Sequence, residues 1–372
     1  MALDHRGIDP AFMDEALDLA RRSRPSPNPR VGAVLVKGGR IVGRGHHVAP
    51  GEPHAEMNAL ADAGAAAEGA DLYVTLEPCC HYGRTGPCTV RIQAANLGRV
   101  IVGIVDPDPR VSGRGIAFLE DAGHEVVLGV REQECRRLLA GYWMHRVHGR
   151  PLVTLKAAIT LDGRIATTEG HSRWISGEAS RVRAHELRAD SDAVLVGLGT
   201  VLADDPLLTV RQVSGRNPLR VVVDSRLGTP PRARLIATAA EVPVLLAHTI
   251  SGRPAVGGLC GINGVELLEC PATDHGRVDL AWLVERLAAR GVLSLLVEGG
   301  ATVHGAFVTA GLADRAVLFV APRLFGSGPS WLAFDGSGTV ESGPVLEGLE
   351  AEPSGTDLIV RARFPGSPAI GI

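Results

Sequence analysis

The segment Gly51-Glu52-Pro53-His54-Ala55-Glu56, followed by Glu77-Pro78-Cys79 and then by Cys88, decides how the first half of this chain is read. One histidine and two cysteines make a three-ligand zinc set. Tetrahedral zinc with three protein ligands keeps its fourth position for water, which distinguishes a hydrolytic site from a structural one. Water on such a metal ionises near pH ~7 instead of near ~16. Glu56 lies too close to His54 for both to ligate one ion comfortably, which leaves its carboxylate as a proton shuttle. The set suits hydrolytic removal of an amino group. A closed zinc knuckle is the competing reading. It needs a fourth ligand from Cys80 or His81, yet adjacent cysteines rarely both reach one metal, and Glu56 then has no role.

Working outward, Met13, Ala16, Leu17 and Ala20 recur at helical spacing and predict an amphipathic helix that ends before the Pro25, Pro27 and Pro29 loop. Two β-branched runs, 31–36 and 40–44, joined across Lys37-Gly38-Gly39, read as a hairpin. Pro53 suits the first position of a helix carrying His54 and Glu56 in its opening turn. A buried strand over 72–76 delivers Cys79, and a helix start after Pro78 is expected to aim backbone N–H groups at its sulfur. A helix over 90–95, a strand over 100–105 and a further helix and strand over 116–128 follow. This order describes a three-layer α/β/α sandwich. A charged segment over 131–145 closes the unit, giving a first domain over 1–146 and a linker over 147–151.

The chain has 372 residues, enough for two domains, with 45% hydrophobic and 21% charged residues, a soluble globular composition. Its formal net charge is −3, and no basic run tracks a phosphate backbone, so general nucleic-acid binding is disfavoured. The first ten residues lack the apolar core of a signal peptide, and no apolar stretch approaches the ~20 residues of a membrane helix. A cytoplasmic setting is expected. Six cysteines, three of them crowded at Cys79, Cys80 and Cys88, favour metal over a disulfide framework. Cys135, Cys260 and Cys270 stand alone in apolar surroundings and are expected to be buried or inert thiols.

His54-Ala55-Glu56 with Pro78-Cys79 resembles the cytidine deaminase superfamily signature. Eight residues separate Cys79 from Cys88 where the general pattern has two. That spacing, with the filler 80–87, Asn28-Pro29-Arg30-Val31-Gly32, Tyr73-Val74-Thr75-Leu76-Glu77-Pro78-Cys79 and Asp106-Pro107, is similar to the pyrimidine deaminases of riboflavin biosynthesis. The resemblance implies a cytidine-deaminase-like fold with His54, Cys79 and Cys88 as Zn2+ ligands and Glu56 as acid/base. It also implies that Asn28, His47, His81, Arg84 and Asp106 meet the pyrimidine or its ribose phosphate. Arg84 sits in a polar Gly-rich loop that suits a phosphate clamp, although taken alone it reads as a surface arginine. Cys80 stands where the family carries serine.

The second half, 152–366, alternates strand and helix, with strands over 152–158, 193–196, 219–223, 242–247, 293–297 and 316–320, so a mostly parallel sheet is expected. It has no G-x-G-x-x-G followed by an acidic residue, which excludes an ordinary Rossmann fingerprint. Val297-Glu298-Gly299-Gly300 runs from a strand into a helix start, where glycines let backbone approach a ligand. Past Leu324 an irregular Gly, Ser and Pro-rich loop is expected to about Pro344, before a last strand over 358–364.

Leu155-Lys156, Thr160-Leu161-Asp162-Gly163-Arg164, Ser172-Arg173-Trp174-Ile175-Ser176, 199–206, Leu208-Thr209-Val210-Arg211 and Val223-Asp224-Ser225, in this order, resemble the reductase half of the same bifunctional family. That half has a dihydrofolate-reductase-like α/β fold. The resemblance implies that NADPH is lined by Ala158, Trp174, Thr200, Asp204, Ser225, Gly299, Gly300, Ala301, Thr302, Val303 and His304. It implies that Ser172, Arg188, Leu208, Arg211 and Glu298 line the substrate. Arg188 and Arg211 are expected to grip a phosphate bidentately, and Glu298 to accept from pyrimidine N–H groups. Lys156 and Asp204 are candidates for the proton that balances hydride delivery. Asp204-Asp205-Pro206 also reads as a helix-ending turn.

The implied activity is deamination of a small pyrimidine nucleotide, 2,5-diamino-6-ribosylamino-4(3H)-pyrimidinone 5′-phosphate, then reduction of its ribosyl group to ribityl by a homo-dimer or homo-tetramer. Two other readings compete. A nucleic-acid base deaminase fused to an accessory dinucleotide-binding domain is opposed by the acidic balance and the long cysteine spacing. A zinc-stabilised dinucleotide sensor without turnover predicts that Glu56→Gln leaves ligand affinity and metal content alone and changes no rate.

Overall fold

The computed structural model describes residues 7–82, 86–252, 258–336 and 338–367. The chain divides into two compact units between Gly149 and Arg150.

The first unit runs α1 (Ala11–Arg21), β1 (Gly32–Lys37), β2 (Arg40–His46), α2 (Ala55–Ala63), β3 (Asp71–Leu76), α3 (Cys88–Ala94), β4 (Val100–Ile104), α4 (Arg114–Asp121), β5 (Val126–Leu128), α5 (Glu132–Leu138) and α6 (Ala140–His148). Its five-stranded sheet has the order β2-β1-β3-β4-β5, with β1 antiparallel to both neighbours and β3, β4 and β5 parallel. Glycines decide where helices sit on it. A Cβ on Gly32 would lie 1.9 Å from the Ala16 carbonyl oxygen of α1, and one on Gly45 would lie 2.1 Å from the Ala55 carbonyl oxygen of α2. Gly32 pairs with His46 and Gly45 with Ala33, so the two glycines point to opposite faces. Helices α1 and α2 therefore cover the sheet from opposite sides, as a three-layer α/β/α sandwich requires.

The second unit runs β6 (Leu152–Thr160), α7 (Glu178–Asp190), β7 (Ala193–Gly197), α8 (Leu198–Asp204), β8 (Leu219–Val223), α9 (Arg234–Ala237), β9 (Val244–His248), β10 (Val265–Glu269), α10 (Leu280–Ala289), β11 (Ser294–Val297), α11 (Ala301–Thr309), β12 (Arg315–Ala321), β13 (Glu347–Ser354) and β14 (Asp357–Arg363). Its nine-stranded sheet has the order β10-β9-β8-β7-β11-β6-β12-β14-β13, parallel from β10 to β12 and antiparallel through β14 and β13. Alternation splits its core in two. Leu195, Val221 and Leu295 pack with Leu283, Leu287 and Phe307 on one face, while Val194, Val196, Val222 and Leu246 pack with Val201, Leu235 and Ile236 on the other. Strands buried on both faces explain the apolar runs in the sequence.

The structure departs from the sequence reading in definite places. Helix α2 begins at Ala55, so His54 is its N-cap and lies outside its first turn. Among the described residues no helix starts directly after Pro78; the next one begins at Cys88, with Pro87 as N-cap. The charged segment after Arg131 folds into α5 and α6, and α6 takes Val147 and His148 out of the expected linker. Strands β10 and β13 were not anticipated. Cys135 and Cys270 are buried, but Cys260 is exposed, and all six cysteines are free. Among the described residues no helix is long and apolar enough to cross a membrane.

The closeness of α2 to β2 gives a prediction. Gly45→Ala pushes the Ala55 carbonyl, hence the helix start that His54 caps and that carries Glu56, off the sheet, and is expected to cost about 3 kcal/mol. Denaturant unfolding with zinc titration checks this; wild-type stability together with wild-type zinc affinity would contradict it.

Candidate active sites

In the first unit every candidate ligand sits at the end of an element. His54 caps α2 with extended backbone, Cys79 lies three residues past β3, and Cys88 opens α3. The ligand atoms of these three residues all fall within 4.8 Å of one another. His54 Nδ1 is 3.3 Å from Cys88 Sγ and 3.5 Å from Cys79 Sγ. Zn–N and Zn–S bonds of ~2.0 and ~2.3 Å at a tetrahedral angle put N and S about 3.5 Å apart, so the donors fit one zinc ion. The N–H that reaches the Cys79 sulfur comes from Cys88, at 3.4 Å, and not from a helix after Pro78. Hydrogen bonding from the Cys88 thiol, then from the His54 ring, holds Cys79 well below the usual thiol value, against burial. That favours the thiolate a metal ligand must be.

Glu56, in the first turn of α2, is 3% exposed. Burial first, and then the charge of Cys79, push its carboxyl up to about 6. A carboxyl in that range exchanges protons readily at neutral pH. It lines a cavity of about 400 Å³ with Asn28, His47, His54, Cys79, His81 and Asp106. Asn28, His81 and Asp106 are thus gathered as expected, and His81 offers a buried Nδ1 without a hydrogen-bond partner. His47 lines the cavity in another role. Its Nδ1 is 3.1 Å from the Pro53 carbonyl and its Nε2 2.9 Å from the Asn28 amide nitrogen, so the neutral ring donates to Pro53, accepts from Asn28 and orients that amide. Arg84 lies outside the described residues.

Several residues were missed from sequence. Glu77, 3% exposed, accepts from the backbone N–H groups of Asp106, Gly113, Gly115 and Ile116 at 2.8–3.2 Å. It ties the loop bearing Asp106 to the strand end bearing Cys79. A carboxylate closing a buried strand run was the available signal. Asp106 accepts from the Asp108 N–H at 2.8 Å and the Tyr142 hydroxyl at 3.2 Å, and burial lifts its carboxyl to about 6. Asp108, Arg110, Tyr142 and Arg146 complete this wall.

In the second unit the candidate residues gather at the carboxyl ends of β6, β7, β8 and β11, where open α/β sheets bind ligands. Gly300 caps α11, and a Cβ there would lie 3.8 Å from Thr200 Oγ1 of α8. Gly299 has no room for a side chain, since its Cβ would be 3.0 Å from that of Val303. Ala158, Ala301 and Thr302 keep partial or full exposure, Trp174 is 65% exposed, and the Arg181 guanidinium lies 4.9 Å over its ring. Ser172 Oγ donates to Asp204 Oδ1 at 3.1 Å, and the Arg173 guanidinium donates to the Asp204 carbonyl. Ser225 Oγ instead accepts from the Val278 N–H at 3.2 Å.

Three expectations need correction here. The His304 ring is 1% exposed and lies 2.9 Å from the Trp331 carbonyl and 3.1 Å from the Val297 carbonyl, while Val303 packs against the core, so these two offer a ligand only backbone. Leu208 is 4% exposed, its side chain in the core and its φ at +55°. Arg188 does not present a free fork to phosphate. Its Nε and Nη2 each donate to Glu298 at 2.9 Å and its Nη1 to the Thr209 carbonyl at 2.7 Å. The same pairing engages both Glu298 oxygens, with Lys156 Nζ 3.6 Å away. Arg211 donates through Nη1 to Thr209 Oγ1 at 2.8 Å and remains exposed, so it is the guanidinium placed for an anion. His185, also missed, accepts from the Arg211 N–H at 3.2 Å; burial, then Arg188 and Arg211, lower it to about 4.

Two family models match this chain: the RibD C-terminal domain over residues 151–360, and the cytidine and deoxycytidylate deaminase zinc-binding region over residues 7–104. The riboflavin biosynthesis protein RibD of Aquifex aeolicus is 40% identical over 95% of this chain and 98% of its own length. That of Escherichia coli is 40% identical over 86% and 89%. Among solved structures, the diaminohydroxyphosphoribosylaminopyrimidine deaminase/5-amino-6-(5-phosphoribosylamino)uracil reductase of Thermotoga maritima superposes with a TM-score of 0.83 at 35% identity, covering 95% of this chain and 98% of that one.

Burial raises Glu298, but Arg188 and Lys156 outweigh it and hold the carboxyl at about 2, against 4.5 ordinarily. A folded value below the unfolded one contributes stability that is complete above pH ~4.5 and is lost as pH falls toward ~2, about 3 kcal/mol in all. Acid unfolding of Glu298→Gln is therefore expected to lack most of that limb; an unchanged profile would refute the pairing.

Proposed function

Because this chain belongs to the RibD family of riboflavin biosynthesis proteins, we propose a division of work between its two sites. It is a bifunctional enzyme, a zinc-dependent deaminase and an NADPH-dependent reductase. The first unit deaminates the diaminopyrimidine ribosylamine phosphate, and the second reduces the ribosyl group of the product to ribityl. The observation that carries the first half is the convergence of His54, Cys79 and Cys88 with a buried, proton-exchanging Glu56 in one mononucleotide-sized cavity.

Zinc held by His54, Cys79 and Cys88 supplies a water acidified toward neutrality. Glu56 takes the proton of the attacking water, passes it to the ring nitrogen, and then helps the amine leave as ammonia. Asn28, fixed by His47, and the free Nδ1 of His81 are the polar groups that orient the pyrimidine. Asp106 is held by Tyr142 and by the Asp108 amide for the same task.

NADPH supplies the hydride in the second unit. The Gly299-Gly300 turn and the start of α11 would hold it, main chain close to the ligand, together with Thr200, Ala301 and Thr302. Lys156, with its Nζ 3.6 Å from Glu298 and 5.6 Å from the centroid of the Phe319 ring, is assigned the proton donor's role. Asp204 then orients Ser172. Arg211 takes the phosphate. Homo-oligomeric assembly and a cytoplasmic location are part of this reading.

Glu56→Gln is expected to retain zinc and to lose at least about a thousandfold in ammonia release; full ammonia release by this variant would sink the deaminase assignment. Zinc removal should abolish ammonia release and leave NADPH oxidation with the deaminated product intact. Arg211→Ala should raise the KM of reduction about tenfold without changing ammonia release. Equal damage to both activities would contradict separate sites.

A further inference from the structure

We propose that Arg146 is a specificity-determining residue of the deamination site, presenting its guanidinium to the phosphate of the nucleotide. The proposal rests on the deaminase reading of the cavity. That cavity is acidic for a pocket meant to admit an anion. Glu52, Glu56, Glu77, Asp106 and Asp108 line it, and among the described residues Arg110 and Arg146 are the only arginine or lysine side chains that do. Two thiolates and one neutral imidazole cancel the charge of a zinc ion, so the metal centre adds no net attraction.

The two arginines are not equivalent. Arg110 is engaged: its Nε and Nη2 donate to Asp108 at 2.7–3.2 Å, and its backbone N–H donates to the same carboxylate at 2.9 Å. Arg146 Nε lies 3.6 Å from Asp108, an ion-pair distance too long for a hydrogen bond, and this buried nitrogen has no hydrogen-bond partner. Its guanidinium carbon sits 5.2 Å from the centroid of the Tyr142 ring, one helical turn earlier on α6. Tyr142 is itself fixed by its hydroxyl bond to Asp106. Arg146 is thus oriented by Tyr142 and Asp108 without the two-point hydrogen-bonded fork that engages Arg110, and a planar guanidinium of this kind matches phosphate bidentately. The same helix links the pyrimidine end, through Asp106, to the proposed phosphate end.

The test compares deamination of the 5′-phosphorylated compound with that of its dephosphorylated counterpart by wild type, Arg146→Met and Arg146→Lys, with zinc content measured in each. The ratio of kcat/KM for nucleotide over nucleoside is expected to fall about tenfold to a hundredfold in Arg146→Met, mainly through KM, and less in Arg146→Lys. An unchanged ratio, whether both activities fall together or both persist, overturns the proposal. Should Arg146→Met fail to fold, the ratio in Arg146→Lys decides alone: a value at the wild-type level overturns the proposal and a reduced one supports it. Wild-type enzyme that holds zinc and deaminates neither compound would overturn the deaminase reading itself, a result distinct from an unchanged ratio.

Discussion

A single buried carboxylate, that of Glu77, accepts four backbone N–H groups, and the first site depends on it. The bonds join the end of β3, which delivers Cys79, to the turn that delivers Asp106 and to the start of α4. They add to the β3–β4 pairing, which reaches Leu76 and Ile104, in setting the metal wall of the cavity against its pyrimidine wall. A carboxyl group out of water is costly unless its lone pairs are met, and four backbone amides at 2.8–3.2 Å meet them.

Two buried glutamates, Glu56 and Glu77, and a third, Glu298, whose side chain is 9% exposed, show how environment assigns role. Glu77 is surrounded by amides and holds loops together. Glu298, at the end of β11, is met by the Arg188 fork and by Lys156, and is kept ionised deep in the second unit. Glu56 has neither a ring of amides nor a guanidinium. Burial and a neighbouring thiolate lift it to about 6, and it is the one suited to pass protons. Residue type alone does not separate these roles; the donors supplied by neighbouring elements do.

That distinction explains what could be read from the sequence. The ligand set and the proton shuttle were legible because their spacing is local, and the parallel strands were legible because burial on both faces leaves unbroken apolar runs such as Leu219–Val223. Strand β13, which carries almost no buried side chain and lies at the sheet edge, has no such signature. Arg188 was given to a phosphate because a sequence does not show that Glu298, 110 residues away, has already engaged its fork. Tyr142 and Arg146 were passed over because an arginine one turn after a tyrosine reads as an ordinary solvated helix face. Leu208 and His304 are buried, because the direction of a side chain is settled by packing that a sequence does not show.

The position of the three metal ligands carries a further consequence. Each occupies the boundary of an element, with His54 before α2, Cys79 after β3 and Cys88 at the first residue of α3. An ion bound there closes the chain between His54 and Cys79 and again between Cys79 and Cys88, and loop closure restricts the unfolded chain as a covalent staple does. Affinity for the metal and rigidity of the cavity rim are therefore one property.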